Sequence, residues 1–325
     1  MNKNLSKSQI EELIMDIENK TKLIIPPIKC QGIKTKLVSW IKDNLSTLKF
    51  DRWLEPFMGS GVVGFNVRPH YAIFADTNIH LINFYNAIKN GEITPSIARS
   101  FLESESIKLA KSGQKYYNEV RERFNSNFKS LDFLFLNRSC FNGMIRFNRY
   151  GKFNVPFGHK PNRFSKAYIT KIVNQIDYIS QAVKLLDWQF VCQDFRETLK
   201  KLSKNDFIYC DPPYLGRHVD YFDSWNDEDE KDLFNILNKS NSKYILSTWH
   251  SNQFRSNKEI EKYNKQNIQT KEHFYHVGAS EKNRNAMTEA LILNYLLPKQ
   301  KIDYTIRSGV QLQIMEPKSS YKARK

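Results

Sequence analysis

Cysteine is scarce in this chain and never paired at short range. Four residues, Cys30, Cys140, Cys192 and Cys210, stand among 325, and no two share a CxxC spacing. That excludes a zinc knuckle, a thioredoxin-type motif and a small disulfide-stapled scaffold; scattered thiols in a long chain read as reduced. No apolar run approaches the ~18 residues of a membrane span. The first twenty residues mix both charges with apolar side chains at helical spacing, so they lack the apolar region of a secretory signal. The expectation is a soluble, cytoplasmic protein with no membrane partner. Fixed-period repeats and low-complexity tracts are missing too. The most local absence is of acid: between Phe133 and Ile176 there is neither Asp nor Glu.

What is present is basic. Lysine and arginine total 50 against 34 Asp and Glu, a formal charge of +16, with 40% hydrophobic and 13% aromatic residues. Such a chain can bury a real core, in one large domain or two modest ones. Its charge calls for a polyanionic partner, nucleic acid first and an anionic membrane surface second. The acid-free stretch carries Arg138, Arg146, Arg149, Lys152, Lys160, Arg163, Lys166 and Lys171, interleaved with Asn and aromatic residues. Lys and Arg neutralise phosphates, while Arg and Asn can also pair with base edges. A solvated basic loop is the plainer alternative.

The apolar pattern gives an organisation. Residues 6–19 read as a short amphipathic helix, and a second helix runs from about Thr35 to Leu45. Residues 51–54 read as a strand that ends at Glu55-Pro56-Phe57-Met58-Gly59-Ser60-Gly61, followed by a helix start over 62–67. Tyr71 to Ala75 is a second strand, closed by Asp76. Strand, glycine loop, helix, strand, acid is the opening of a doubly wound α/β sheet. Residues 79–136 then turn helical, and 137–166 have the composition of loops or a hairpin. A helix over 168–186 leads back to strands at 189–192, 207–210, 244–247 and 291–296. The expected layout is therefore an α/β domain built from 1–78 and 167–325, interrupted by a mostly helical insertion at 79–166.

Two motifs carry chemistry. Asp211-Pro212-Pro213-Tyr214 follows the apolar run FIYC directly. Two prolines cannot continue a strand ladder, so the chain turns there and presents the Asp211 carboxylate at the carboxyl edge of the sheet. Tyr214 adds a flat face on which a base can stack. In the glycine loop, Gly59 and Gly61 allow close backbone approach to a ligand. Gly64 completes a GxGxxG spacing, so spacing alone leaves a dinucleotide open. Asp76 is placed to accept hydrogen bonds from ribose hydroxyls. The acidic run Asp223–Asp232 reads as charge at a helix N-terminus behind a Ser224 or Asn226 cap.

Taken together these segments resemble the Dam-type, α-class (D12) DNA adenine-N6 methyltransferases, from Pro26 to Asn294. EPFMGSG is similar to that family's S-adenosylmethionine motif and ADTN (75–78) to its ribose-binding motif. LNRSCFNGMIRFNRYGKFNVPFG (136–158) is similar to its DNA-recognition hairpin and VCQDF (191–195) to the segment that binds the cofactor's adenine. CDPPY resembles the catalytic motif and AMTEALILNY (286–295) the closing strand. The resemblance implies a Rossmann-like methyltransferase that methylates a flipped-out adenine in double-stranded DNA. It implies a restriction-modification or orphan setting in a bacterium or phage, a monomer or weak dimer, and no metal. GATC is the commonest target among similar proteins, and any cognate restriction endonuclease acts separately. Rival readings are an RNA or protein amino-group methyltransferase and a non-catalytic DNA-binding relative.

Carried over by position, the catalytic residues are Asp211, Pro212, Pro213 and Tyr214. The cofactor site would comprise Lys29, Glu55, Phe57, Gly59, Gly61, Asp76, Asp194 and Phe195. The DNA contacts would be Arg138, Phe141, Asn142, Met144, Arg146, Arg149, Lys152, Pro156, His159 and Lys160. Two departures stand out. Cys30 and Ile33 replace a Trp and a Gly in the family's Lys-Trp-x-Gly-Gly-Lys run, and His159 stands where the best-known relatives carry Arg.

Overall fold

Short apolar runs stopped by turn formers become parallel strands buried on both faces. The computed structural model describes residues 23–214, 225–252, 255–274 and 286–297. The helix expected at 6–19 and the basic end beyond 317 lie outside these residues. The strands are β1 (Arg52–Glu55), β2 (Tyr71–Asp76), β3 (Asp187–Cys192), β4 (Asp206–Cys210), β5 (Lys243–Asn252), β6 (Asn267–Phe274) and β7 (Ala286–Leu293). They form one sheet in the order β3-β2-β1-β4-β5-β7-β6. The first five run parallel, and β7 lies antiparallel between β5 and β6. The doubly wound Rossmann-like fold is thus present. The edge strand β6 was not expected, and the closing strand starts earlier than the apolar run suggests.

The order reverses direction between β1 and β4. Crevices at such switch points, beyond the carboxyl ends of the strands, are where open α/β sheets bind ligands. Trp53 of β1 pairs in register with Phe207 of β4, and Leu54 with Ile208. The two chemical motifs therefore leave the sheet from adjacent strand ends. On one face, Trp53 stacks on Phe207 (5.3 Å) and Tyr209 (5.9 Å). On the other, Leu54, Ile208, Leu246 and Ile292 join a second apolar cluster.

Helices cover the sheet: α1 (Val38–Asp43), α2 (Val62–Val67), α3 (Ile79–Lys89), α4 (Pro95–Ser112), α5 (Gln114–Asn127), α6 (Ser130–Ser139), α7 (Lys166–Leu185), α8 (Phe195–Thr198) and α9 (Asp227–Lys239). In α7 the buried residues Ile169, Ile172, Val173, Ile176 and Ile179 recur at helical spacing, and the Ser165 side chain caps its start. Helix α3 opens the stretch read as the insertion, yet it packs on the sheet. Tyr85 lies 5.4 Å from Phe65 and 5.3 Å from Phe190, ring to ring. One apolar cluster runs unbroken from Trp53 and Phe74 into Phe124 and Phe133. Among the described residues no helix is long and apolar enough to cross a membrane.

Candidate active site and nucleic-acid interface

The glycine loop is shaped by three different constraints. Gly59 has φ +49°, and a β-carbon added there would meet nothing within 4 Å, so its outer side is open space. Gly61 has φ +75°, and its β-carbon would fall 2.5 Å from the Phe65 ring. At Gly64 a β-carbon would lie 2.2 Å from the Phe74 ring and 2.4 Å from Glu55 Oε2, so this glycine serves the packing of α2 on the sheet. Asp76 ties the loop to β2: its carboxylate accepts the N–H groups of Gly59 and Asn78, both at 2.9 Å. Beside the loop, Phe57 packs on Phe195 (5.4 Å) and edge-on to Trp225 (5.4 Å). Asp194 caps α8, and its carboxylate stands 3.3 Å from Arg196, which also reaches Asp229 and Asp232 of α9. Asn226 caps α9 in a capping box, as the acidic run suggests.

Glu55, read as a cofactor residue, is enclosed under this loop at 2% exposure and accepts the Trp53 indole N–H at 2.8 Å. Burial pushes its carboxyl up to about 8, with the nearby Asp211 charge adding to the rise. The unfolded chain holds such a group near about 4.3. The native state therefore binds the proton more tightly, and native stability falls as pH rises from the unfolded value towards 8. Glu55→Gln lacks this dependence. Its melting temperature is expected to gain on the parent as pH goes from 5 to 8.5, equivalent to on the order of a few kcal/mol. A difference that stays flat across that range would show that Glu55 is not held protonated.

At the end of β4, the Asp211 side chain is 20% exposed and one oxygen, Oδ1, lies 3.0 Å from Lys34 Nζ. Burial raises the Asp211 carboxyl above its ordinary value, and the Lys34 charge opposes that rise. Lys34 Nζ also donates to Tyr214 Oη at 2.8 Å, and Tyr214 Oη donates to Glu289 Oε2 at 3.0 Å. Pro212 is buried, while Pro213 and Tyr214 are half-buried. Cys210 is fully buried in the strand, so it packs and offers no nucleophile. Trp249 also packs, beneath the Arg255 guanidinium at 5.1 Å. His218, Tyr221 and the loop that contains them lie outside the described residues.

The acid-free stretch folds into a hairpin without long strands, closed by bridges Cys140–Phe157 and Phe147–Phe153. Its underside is apolar and gripped. Phe147 stacks on His80 at 4.8 Å, and Tyr117 Oη of α5 donates to the Val155 carbonyl at 2.7 Å. Asn125 brackets Phe153 through both of its backbone groups. Its outer side presents Phe141, Asn142, Arg149, Lys152, Pro156, His159 and Lys160, all exposed. Phe141 stands 49% exposed on a single helical turn. Beside it, Asn142 and Gly143 hold φ +53° and +67°, as an Asn-Gly turn prefers. Met144 and Arg146 are half-buried, and the Arg146 guanidinium is braced by the Asn154 side chain at 2.8 Å.

Arg138, expected on the DNA face, is instead buried at 4% exposure. Its guanidinium donates to the Pro27 carbonyl at 2.6 Å and to Tyr168 and Gln175. It sits on the inner side of α6, so it joins the helical insertion to the Pro26–Pro27 segment. Lys29, read as a cofactor residue, is drawn to the hairpin base. Its N–H and carbonyl pair with the Asn137 amide at 2.9 Å each, and its side chain packs against Gly143.

Segment 26–34 thus touches the hairpin at Lys29 and the catalytic motif at Lys34. Five residues span at most about 17 Å, so the two sites are neighbours. Lys34 and Glu289 were missed as site residues. The signal for Lys34 lay in the last position of the Lys29–Lys34 run. For Glu289 it was a lone acid within an apolar strand.

Known proteins are similar in sequence to this chain over most of its length. The family profile for D12 class N6 adenine-specific DNA methyltransferase matches residues 31–299. The chain is 31% identical to the Type II methyltransferase M.FokI of Planomicrobium okeanokoites over 83% of its own length and 42% of that protein's. It is 30% identical to the Type II methyltransferase M.MjaIII of Methanocaldococcus jannaschii over 83% of its own length and 99% of that protein's. A DNA adenine methylase of Serratia marcescens is 36% identical over 58% of this chain and 66% of that one.

Proposed function

The chain belongs to the D12 class N6 adenine-specific DNA methyltransferases, and on that premise we propose that it methylates the N6 amine of an adenine everted from double-stranded DNA at a specific site. The observation that carries the reading is the placement of DPPY and the glycine loop on adjacent strand ends at the sheet's switch point. The two parts of the chemistry meet there. When bound, S-adenosylmethionine supplies an electrophilic methyl group on sulfur. The open side of Gly59, the Asp76 carboxylate and the Phe57–Phe195–Trp225 aromatic group fit a nucleoside with a short polar tail.

The exocyclic N6 is a weak nucleophile because its lone pair is delocalised into the ring. Asp211 and the Pro212 carbonyl accept its two N–H groups and favour a tetrahedral nitrogen as positive charge develops. The Tyr214 ring stacks on the base, which must leave the helix to reach it. Holding amine and methyl in line contributes much of the acceleration. The hairpin reads the duplex, with Phe141 as the wedge beside the vacated position and Arg146 on a guanine edge. The recognition part is best drawn from α4 through the hairpin, with α3 left to the catalytic part. The names of the Type II relatives favour a restriction-modification setting.

The test is transfer of labelled methyl to duplex DNA, with digestion to identify N6-methyladenine; label on RNA, protein or cytosine alone would refute the reading. The hairpin roles are separable. Arg146→Ala is expected to relax discrimination at one base pair by ~1–3 kcal/mol. Arg138→Met should leave specificity alone and lower stability, by about 3 kcal/mol if the partners of the buried cation stay unpaired. Competition between site variants and thermal melting distinguish the two; an Arg146→Ala loss equal on all sequences would count against a base contact.

A further inference from the structure

The hydrogen-bond chain behind Asp211 does not stop at Tyr214. Lys34, 4% exposed, serves Asp211 Oδ1 and Tyr214 Oη, and the phenol donates its own hydrogen bond to Glu289. Glu289 is fully buried in β7, opposite Trp249 of β5. It is the one charged residue of the strand AMTEALIL, and Leu291 and Leu293 continue its face into the apolar core. A carboxylate in such a place is costly to bury, and packing alone would be served by an apolar residue. Glu289 has no place in the chemistry described above.

We propose that Glu289 is a positioning residue for methyl transfer, which acts through Tyr214 and Lys34 to fix the Asp211 carboxylate. A phenol has one proton to give. Directed at Asp211, that proton would occupy the oxygen that the adenine amine needs. Glu289 draws it the other way, which leaves the phenol oxygen as an acceptor for Lys34. Lys34 then binds one Asp211 oxygen, with the phenol oxygen and the Gly32 carbonyl as further acceptors. The second Asp211 oxygen accepts nothing among the described residues and is left for the amine. The same bond pins the tip of the Tyr214 ring, so the stacking face and the carboxylate are set by one chain. Its far end is an acid from β7, a strand that is not a sheet neighbour of β4 and reaches the motif through Tyr214. The inference rests on the proposed role of Asp211 as the amine's acceptor.

The experiment compares the parent enzyme, Glu289→Gln, Tyr214→Phe and the double variant. Single-turnover methyl transfer on saturating duplex, duplex affinity and melting temperature are read for each. Glu289→Gln keeps the shape and removes the charge that draws the phenol proton. It is expected to slow transfer roughly 10- to 100-fold with duplex affinity within about threefold, a loss in the chemical step rather than in binding. Because both substitutions break one chain, the double variant should be no slower than the slower single one.

Losses that multiply, or a Glu289→Gln rate equal to the parent's, would overturn the inference. Should Glu289→Gln fail to fold, Tyr214→Phe alone decides. It leaves both carboxylates and the ring in place, and a parental rate in that variant is equally fatal. An active parent with an unaffected Glu289→Gln sinks this inference only, whereas a parent that transfers no methyl group to DNA sinks the proposed function with it.

Discussion

Asp211→Asn is expected to lower methyl transfer by roughly two to three orders of magnitude, the range seen when one electrostatic contact to a transition state is removed. Duplex affinity should change only a few-fold, because the hairpin residues that would meet phosphates and bases are untouched. Stability should hold or rise. Burial lifts the Asp211 carboxyl above its ordinary value, so at neutral pH the charged form in the native state costs more than it does in the unfolded chain. Stability is therefore lost as pH rises through that value, and removing the charge recovers it. Lys34 keeps Tyr214 and the Gly32 carbonyl as acceptors, and the asparagine oxygen can take the place of Oδ1. Thermal melting and single-turnover rates together check the result. A variant that is inactive because it is unfolded, or one that retains a tenth of the rate, would contradict the role assigned to the carboxylate.

The second large effect separates two glycines five residues apart. At Gly64 an added methyl would fall 2.2 Å from the Phe74 ring and 2.4 Å from Glu55 Oε2. Both neighbours are buried in the core. Gly64→Ala must push α2 off the sheet, at a cost of roughly 1–3 kcal/mol or more, and should show as lowered melting temperature and poor soluble yield. Gly59→Ala meets no neighbour. Its left-handed backbone makes the substitution cost about 1–2 kcal/mol, so the protein should still fold. If the loop holds the cofactor as proposed, the methyl would stand in the space of its backbone contact, and cofactor affinity should fall on the order of 100-fold, or ~2.7 kcal/mol. Equilibrium binding of the cofactor and thermal melting tell the two apart. Unaltered cofactor binding in Gly59→Ala would show that the loop does not hold the donor.

The parts legible in the sequence were those fixed by local chemistry. DPPY stops a strand because proline gives no N–H, and the glycine loop announces itself by residue type. The parallel strands showed as apolar runs because both of their faces are covered. Strand β6 did not show, since NIQTKEHF is a polar edge strand paired on one side only. Arg138 was misread because a count of basic residues carries no information on burial; only the fold shows that α6 turns that guanidinium inward to the Pro27 carbonyl. Lys34 and Glu289 stand at opposite ends of the chain, and their connection through Tyr214 exists only once β7 has entered the sheet beside β5. Side chains whose partners are set by topology are the ones that local pattern cannot pair.

Part of the excess of basic residues lies on the hairpin. The outward side of the hairpin carries Arg149, Lys152 and Lys160, all exposed, and no acid from Phe133 to Ile176 offsets them. Their contribution to affinity should be general and salt-dependent, whereas the braced Arg146 should act at one base pair. On the proposed reading, affinity and discrimination would be carried by different residues of one hairpin.

The most direct measurement is a crystal structure of the protein with duplex DNA and an unreactive analogue of the methyl donor. The expected result is an adenine outside the helix, its N6 within about 3.2 Å of the Asp211 carboxylate and the Pro212 carbonyl, its ring on Tyr214 and the donor over Gly59. An adenine still stacked in the duplex, or one everted with its amine turned from Asp211, would contradict the assignment.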